Sequence, residues 1–139
     1  MTRHYDSRGF FQEICRISEN EYKQVNCSFS VKNTLRGIHV ADYHKLVTCV
    51  SGRIFDVVID MKNLSFKTYS LEAGQQVYVP KNHGHAFLAL EDSIVVYLTG
   101  EVYSFGREKV IRYDCPKIGI PWQGSDFILS EKDDKAGWV

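Results

Sequence analysis

Long apolar runs are missing from this chain: none of its 139 residues lies in a stretch approaching the ~20 apolar positions that a bilayer-crossing helix requires. An apolar leader is missing too. The chain opens Met1-Thr2-Arg3-His4-Tyr5-Asp6, which has none of the character of a signal peptide. Net charge is also absent, because 17 Lys and Arg balance 17 Asp and Glu. The basic footprint of a nucleic-acid or anionic-membrane binder is therefore lacking, although a few local basic groups can still hold a phosphate. The four cysteines, Cys15, Cys27, Cys49 and Cys115, show no CxxC or paired spacing. They fit reduced, mostly buried thiols better than a disulfide framework. These absences predict a soluble, cytoplasmic protein with neither nucleic acid nor membrane as partner. No repeat, linker or low-complexity tract divides the chain, so a single domain over residues 1–139 is expected, large enough to bury a core unaided.

Helix-period runs are scarce as well; only Glu19–Lys23 and Ser130–Lys135 can form a helical turn or two. What is present in quantity is short β-type runs separated by turn signals. Candidate strands are Phe11–Ile17, Gln24–Val31, Leu35–Val40, Lys45–Val50, Arg53–Asp60, Ser65–Leu71, Gln75–Val79, His85–Leu90, Ser93–Thr99 and Lys109–Arg112. Ser51-Gly52 reads as a tight hairpin turn, and Lys32-Asn33, Ala73-Gly74 and Pro80-Lys81-Asn82 as further reversals. Many short strands at this spacing predict an all-β sandwich or barrel.

The alternation within the runs says more. In Arg53–Asp60, Phe55, Val57 and Ile59 share one face, while Ile54, Asp56, Val58 and Asp60 share the other. In Lys45–Val50 the lysine shares a face with Val47 and Cys49. Polar groups set singly into apolar faces are costly to bury. They are better explained if those faces line a wet, ligand-holding cavity, such as the interior of an open antiparallel barrel.

The segment Thr34-Leu35-Arg36-Gly37-Ile38-His39, with Lys45 six residues on, puts a guanidinium, an imidazole and an ammonium within one hairpin's reach. Histidine is the side chain best matched to general-base work near neutral pH, yet a lone strand histidine is more often a satisfied structural one. Arg36, Lys45, His85 and the distant Asp133 shift that balance, since a carboxylate on the far ring nitrogen fixes the tautomer and stabilises an imidazolium. Spacing alone reads Asp133 as a solvated tail residue. Tyr97 and Tyr103 are phenols that stay protonated at neutral pH and suit proton donation; the plain alternative is a core ring with its hydroxyl at the rim. His83-Gly84-His85, with His39, His44 and Glu91, raises a metal site, but Phe87–Leu90 intervenes where a carboxylate ligand is needed, so no metal is expected. Arg8, Phe11 and Glu13 in DSRGFFQE (Asp6–Glu13) suit phosphate and base binding equally with an exposed edge strand. Gln24 and Asn26 offer amides on one strand face.

Taken in order, DSRGFFQE (Asp6–Glu13), QVNCSFS (Gln24–Ser30), TLRGIH (Thr34–His39), KLVTCVSGRIFDVVID (Lys45–Asp60), VPKNHGHAF (Val79–Phe87), VVYLTGEVY (Val95–Tyr103), IGIPW (Ile118–Trp122) and LSEKD (Leu129–Asp133) resemble the dTDP-4-dehydrorhamnose 3,5-epimerase family. That resemblance implies an antiparallel double-stranded β-helix, or jelly-roll barrel, of the cupin type. It implies a cofactor-independent epimerase that inverts carbon 3 and/or carbon 5 of a nucleotide-linked 4-keto-6-deoxy sugar through an enolate. His39 then looks like the base, Asp133 its partner, Tyr97 the acid and Lys45 the enolate-stabilising cation. His85, Arg36, Asp56 and Tyr103 match polar cavity positions, and Arg8, Phe11, Glu13, Gln24, Asn26 and Glu108 match positions that contact or support the nucleotide. The family works as a homodimer in which an N-terminal strand completes the neighbour's sheet.

The chain departs from the family in a largely missing leading strand, a shorter loop between His39 and Lys45, no SPTFG-like stretch in Met61–Tyr69, and few residues after Asp133. These losses fall around the expected cavity mouth. Two other functions fit the same fold: a nucleotide-sugar 3,4-ketoisomerase, and a non-catalytic nucleotide-sugar-binding cupin.

Overall fold

The computed structural model describes residues 3–17 and 21–139. Among these, β1 (Arg3–Asp6) and β2 (Gly9–Gln12) form a hairpin of their own. Nine further strands make two facing antiparallel sheets: β3 (Gln24–Ser30), β4 (Leu35–Ala41), β5 (Lys45–Ser51), β6 (Arg53–Asp60), β7 (Phe66–Glu72), β8 (Gln76–Val79), β9 (His83–Ala89), β10 (Ser93–Thr99) and β11 (Glu108–Val110). One sheet runs β3-β10-β5-β8 and the other β11-β4-β9-β6-β7. A single helical turn, α1 (Glu131–Asp134), closes the chain's regular structure. The expected all-β antiparallel barrel is present, with no helix long and apolar enough to cross a membrane among the described residues.

Three expectations about local structure need correction. The strand expected over Phe11–Ile17 is instead β2, ending at Gln12, because its only strand partner among the described residues is the four-residue β1. A short leading strand therefore does precede the DSRGFF turn. The Asp6 carboxylate accepts the Arg8 amide at 2.8 Å and holds that turn. Ser51-Gly52 is not a hairpin but a corner, since β5 and β6 belong to different sheets. Gly52 has φ +87°, and a Cβ there would lie 2.4 Å from the Asp92 carbonyl oxygen, so only glycine passes this crossing. The helical turn expected over Glu19–Lys23 begins outside the described residues, and 21–23 are not helical. The one expected near Ser130 is α1.

The interior is split into two regions. Val47, Cys49, Ile54, Leu71, Val77, Val79, Phe87 and Val95, drawn from both sheets, fill one part of the space between them. The outer face of the five-stranded sheet is covered separately: Ile38, Val57, Ile59 and Ala86 pack under Ile111, Cys115 and Ile118 from the C-terminal segment. Phe55 meets the Trp122 ring edge-on at 5.6 Å on the same side. This is why β6 is apolar on both faces, and why its Asp56, fully buried, points inward. Where the first core stops, the inter-sheet space stays open.

Candidate active site

A cavity of about 710 Å³ occupies that open part, within the size range of small-molecule sites. One wall is β4 and β9, which bring His39 and His85 together as register partners. The facing wall is β3, β10 and β5, where Tyr97 pairs with Asn26 and Val47, and Thr99 with Gln24 and Lys45. Arg36 and His39 both line the cavity although their odd spacing would put them on opposite faces of a regular strand. A bulge resolves this: Arg36 lies opposite Phe87, yet His39 lies opposite His85, so two residues of β4 face one of β9. Gly37 makes the bulge feasible. Its φ is +116°, and a Cβ would come within 2.6 Å of the His85 carbonyl oxygen.

Asp133 reaches His39 across 94 positions of sequence. Ser130 caps α1, its hydroxyl accepting the Asp133 amide at 3.1 Å, and the turn carries the Asp133 carboxylate into the sandwich. One carboxylate oxygen is 2.8 Å from His39 Nε2, and the other accepts the Gly37 amide at 3.2 Å. Burial alone would raise this carboxyl's pKa, but the His39 ring, the Gly37 amide and the Ser130 hydroxyl outweigh it and hold the pKa below the ordinary carboxylate value. An ionised Asp133 requires a proton on Nε2, which leaves Nδ1 as the nitrogen turned to chemistry.

A second such pair stands beside the first. His85 Nε2 lies 2.7 Å from the Asp56 carboxylate, and Asp56 does not itself line the cavity. The sequence pattern placed Asp56 among the cavity groups; instead it acts on the cavity through His85, its other oxygen buried without a hydrogen-bond partner.

Lys45 is 6% exposed. Burial lowers its pKa, the Glu108 carboxylate raises it, and Lys132 lowers it further; the net shift is downward. Glu108, grouped by resemblance with the nucleotide contacts, has its carboxylate between the imidazole and the ammonium: Oε1 is 3.4 Å from His39 Nδ1 and Oε2 is 3.6 Å from Lys45 Nζ. Tyr97 is pushed above the usual phenol range by burial and by Glu108, with Arg36 opposing, so its proton is retained at neutral pH. Arg36 itself is pinned at the cavity by the Ser30 hydroxyl at 2.8 Å and the Phe29 carbonyl at 3.0 Å.

Tyr43 was not singled out in sequence. It lines the cavity, its ring 5.8 Å from Lys45 Nζ, and burial together with Glu108 pushes its phenol up to about 12. Its place in Asp42-Tyr43-His44, the turn joining two site-bearing strands, was the available signal. Gln24 and Asn26 line the cavity and hydrogen-bond each other at 2.9 Å, and the Gln24 side chain also accepts the Tyr103 amide at 2.9 Å. Tyr103 reaches the cavity from the loop after β10 and is half exposed.

Three expected nucleotide contacts are not at this cavity within one chain. Arg8 pairs with Asp6, Glu13 pairs with Arg16, and Phe11 stands exposed on the N-terminal hairpin. The histidines of the metal reading also diverge: His83 faces the Lys81 carbonyl while His85 is held by Asp56. No cluster of three His, Cys, Asp or Glu side chains with metal-ligand spacing occurs among the described residues.

Residues 1–138 match the family model described as dTDP-4-dehydrorhamnose 3,5-epimerase. A protein of that description from Streptomyces griseus is 38% identical, over 94% of this chain and 76% of its own length. Among solved structures, the RmlC epimerase of Mycobacterium tuberculosis is similar at a TM-score of 0.91 and 34% identity, covering 99% of this chain and 80% of that one. The dTDP-6-deoxy-D-glucose-3,5-epimerase RmlC of Legionella pneumophila, solved with dTDP-4-keto-L-rhamnose, gives a TM-score of 0.92 at 28% identity, covering 99% and 84%.

Proposed function

Because this chain belongs to the dTDP-4-dehydrorhamnose 3,5-epimerase family, an isomerase family of deoxysugar biosynthesis, we propose that it inverts carbon 3 and/or carbon 5 of a dTDP-linked 4-keto-6-deoxy sugar with His39 as base and Tyr97 as acid. The observation carrying this reading is the 2.8 Å contact of Asp133 with His39 Nε2, in a cavity whose facing wall bears Tyr97 and Lys45. A ring hydrogen beside the ketone is acidic because its anion delocalises onto the carbonyl oxygen. His39 Nδ1 removes that proton, and Asp133 stabilises the resulting imidazolium.

The enolate oxygen is met by the Lys45 ammonium in a largely dry site, where a fixed charge is worth far more than in water. His85, its Nε2 turned to Asp56, presents Nδ1 to the cavity as an acceptor for a sugar hydroxyl. Tyr97 delivers its phenol proton from the facing wall, so the carbon is reprotonated on the opposite side and its configuration inverts. The chemistry draws on no redox cofactor. Four free thiols and the nucleotide-sugar substrate class fit a cytoplasmic setting.

The nucleotide lies toward Gln24, Asn26 and Arg36. Arg8, Phe11 and Glu13 serve a second copy of the chain, in a homodimer whose contact uses the hairpin and the outer face of β3. Tyr5, Phe10 and Phe11 on the hairpin, and Val25 and Phe29 on β3, are each more than half exposed, apolar groups suited to a partner.

The test is proton exchange. Incubated in heavy water with dTDP-4-keto-6-deoxyglucose, the protein places deuterium at carbon 3, carbon 5 or both. Intact binding of this compound with no deuterium in the product sinks the proposal. Elution of the native protein as a monomer at micromolar concentration counts against the two-copy arrangement alone.

A further inference from the structure

Glu108 favours the charged form of the buried Lys45, but that task does not account for its place against the other nitrogen of His39. Its carboxylate is largely buried, 3.4 Å from His39 Nδ1 and 3.6 Å from Lys45 Nζ. A fixed anion there opposes the enolate that Lys45 stabilises. An amide or hydroxyl would orient both neighbours without that repulsion. A carboxylate differs from those groups in two respects: its charge favours the protonated form of the buried Lys45, and it can itself take up a proton. Resting on the reading of His39 as base, we infer that Glu108 is the internal acceptor that takes the abstracted proton from His39 and so resets the base.

The step balances as a pair of proton transfers. The ring C–H bond breaks, its electron pair enters the enolate, and the proton forms a bond to His39 Nδ1. The Nδ1–H bond then breaks, its pair returns to nitrogen, and the proton bonds to Glu108 Oε1. His39 is again a neutral base, its Nε2 still carrying the proton it donates to Asp133. Glu108 becomes neutral while the enolate carries the negative charge, so the repulsion falls when it would hurt most. After the product leaves, Glu108 gives its proton to water and the Tyr97 phenolate takes one.

Three further observations favour this acceptor. Asp133 cannot substitute, because removing the Nε2 proton leaves the ring protonated on Nδ1 and useless as a base. The 3.4 Å separation is longer than a formed hydrogen bond, so the lone pair on Nδ1 is not already spent on Glu108. The charge of Glu108 also raises the Tyr97 phenol, so its neutralisation makes that phenol a better acid when a proton is due.

The experiment is a rapid-quench time course of deuterium uptake in heavy water, using dTDP-4-keto-6-deoxyglucose and the Glu108→Gln variant. The expected result is a first turnover within about threefold of the unsubstituted protein and later turnovers slowed on the order of 100-fold, a burst of one deuterated product per site. Glu108→Asp, which keeps an acceptor, shows no burst. In Glu108→Ala, added formate speeds the later turnovers, and this arm stands in if the glutamine variant does not fold. A residue that merely positions Lys45 or His39 slows first and later turnovers alike, so equal slowing, or no slowing, overturns the inference. If the unsubstituted protein places no deuterium in product, it is the assignment of His39 that fails instead.

Discussion

Two imidazole–carboxylate pairs stand next to each other on one cavity wall, nearly equal in distance and unlike in construction. His85 and Asp56 come from adjacent paired strands, β9 and β6, and meet at 2.7 Å with Asp56 fully buried. His39 takes its carboxylate from a single helical turn near the chain's end, at 2.8 Å, and has a second carboxylate, Glu108, at its other nitrogen. The first pair is fixed by sheet register and is part of the frame. The second is assembled from three separated segments and leaves one nitrogen loosely held. A group that must accept and release a proton belongs in the second kind of setting, whereas a group that only has to point belongs in the first.

The contrast is broken most severely at His39. His39→Asn is expected to lower kcat on the order of 10⁴-fold while dTDP affinity, by titration calorimetry, stays within about threefold. Tyr97→Phe is expected to lower epimerisation on the order of 10³-fold, yet substrate deuterated at the reacting carbon still loses label to water, because abstraction by His39 survives. Label retained in that variant would mean Tyr97 is not confined to the donor's role.

The two carboxylates separate activity from stability. Asp56→Ala leaves His85 without its partner and is expected to cost about 3 kcal/mol of folding free energy, read from urea unfolding. Asp133→Ala removes acceptors from the buried Gly37 amide and from His39, which borders the open cavity, and is expected to cost only about 1 kcal/mol while lowering kcat on the order of 100-fold. Equal stability losses in the two variants would erase the distinction between frame and working pair.

The smallest effect concerns pH. The folded Asp133 pKa lies below its ordinary value of 3.8, so its contribution to stability is complete above that value and is lost as pH falls through the lower folded one. Unfolding free energies of the protein and Asp133→Asn therefore differ at pH 6 and draw together as pH falls below 3.8. A difference that persists at the acid end would place the stabilisation in packing rather than charge.

Much of this site was legible in the chain. Arg53–Asp60 and Ser93–Thr99 declared their strands through alternation, with ends that match β6 and β10. The lysine in an apolar run marked a cavity wall, because an ammonium facing a closed core would lack partners. Asp133 was legible only by resemblance, since nothing in Ser130–Asp133 distinguishes an inward carboxylate from a solvated one. Asp56 was recognised as polar and inward, but alternation cannot tell a cavity-lining group from one a layer behind it. Ser51-Gly52 announced a change of direction without saying that it crosses between sheets, because a corner and a hairpin draw on the same glycine chemistry.

Local sequence thus determined the strands, their inner and outer faces, the turns, and the stock of imidazole, phenol, ammonium and carboxylate groups, all of which follow from periodicity and side-chain chemistry. Tertiary structure alone decided the pairings. The β4 bulge put Arg36 and His39 on one face, a capped helical turn carried Asp133 across 94 positions, and β11 set Glu108 between imidazole and ammonium. Such contacts depend on where the chain returns in space, which no window along the sequence contains.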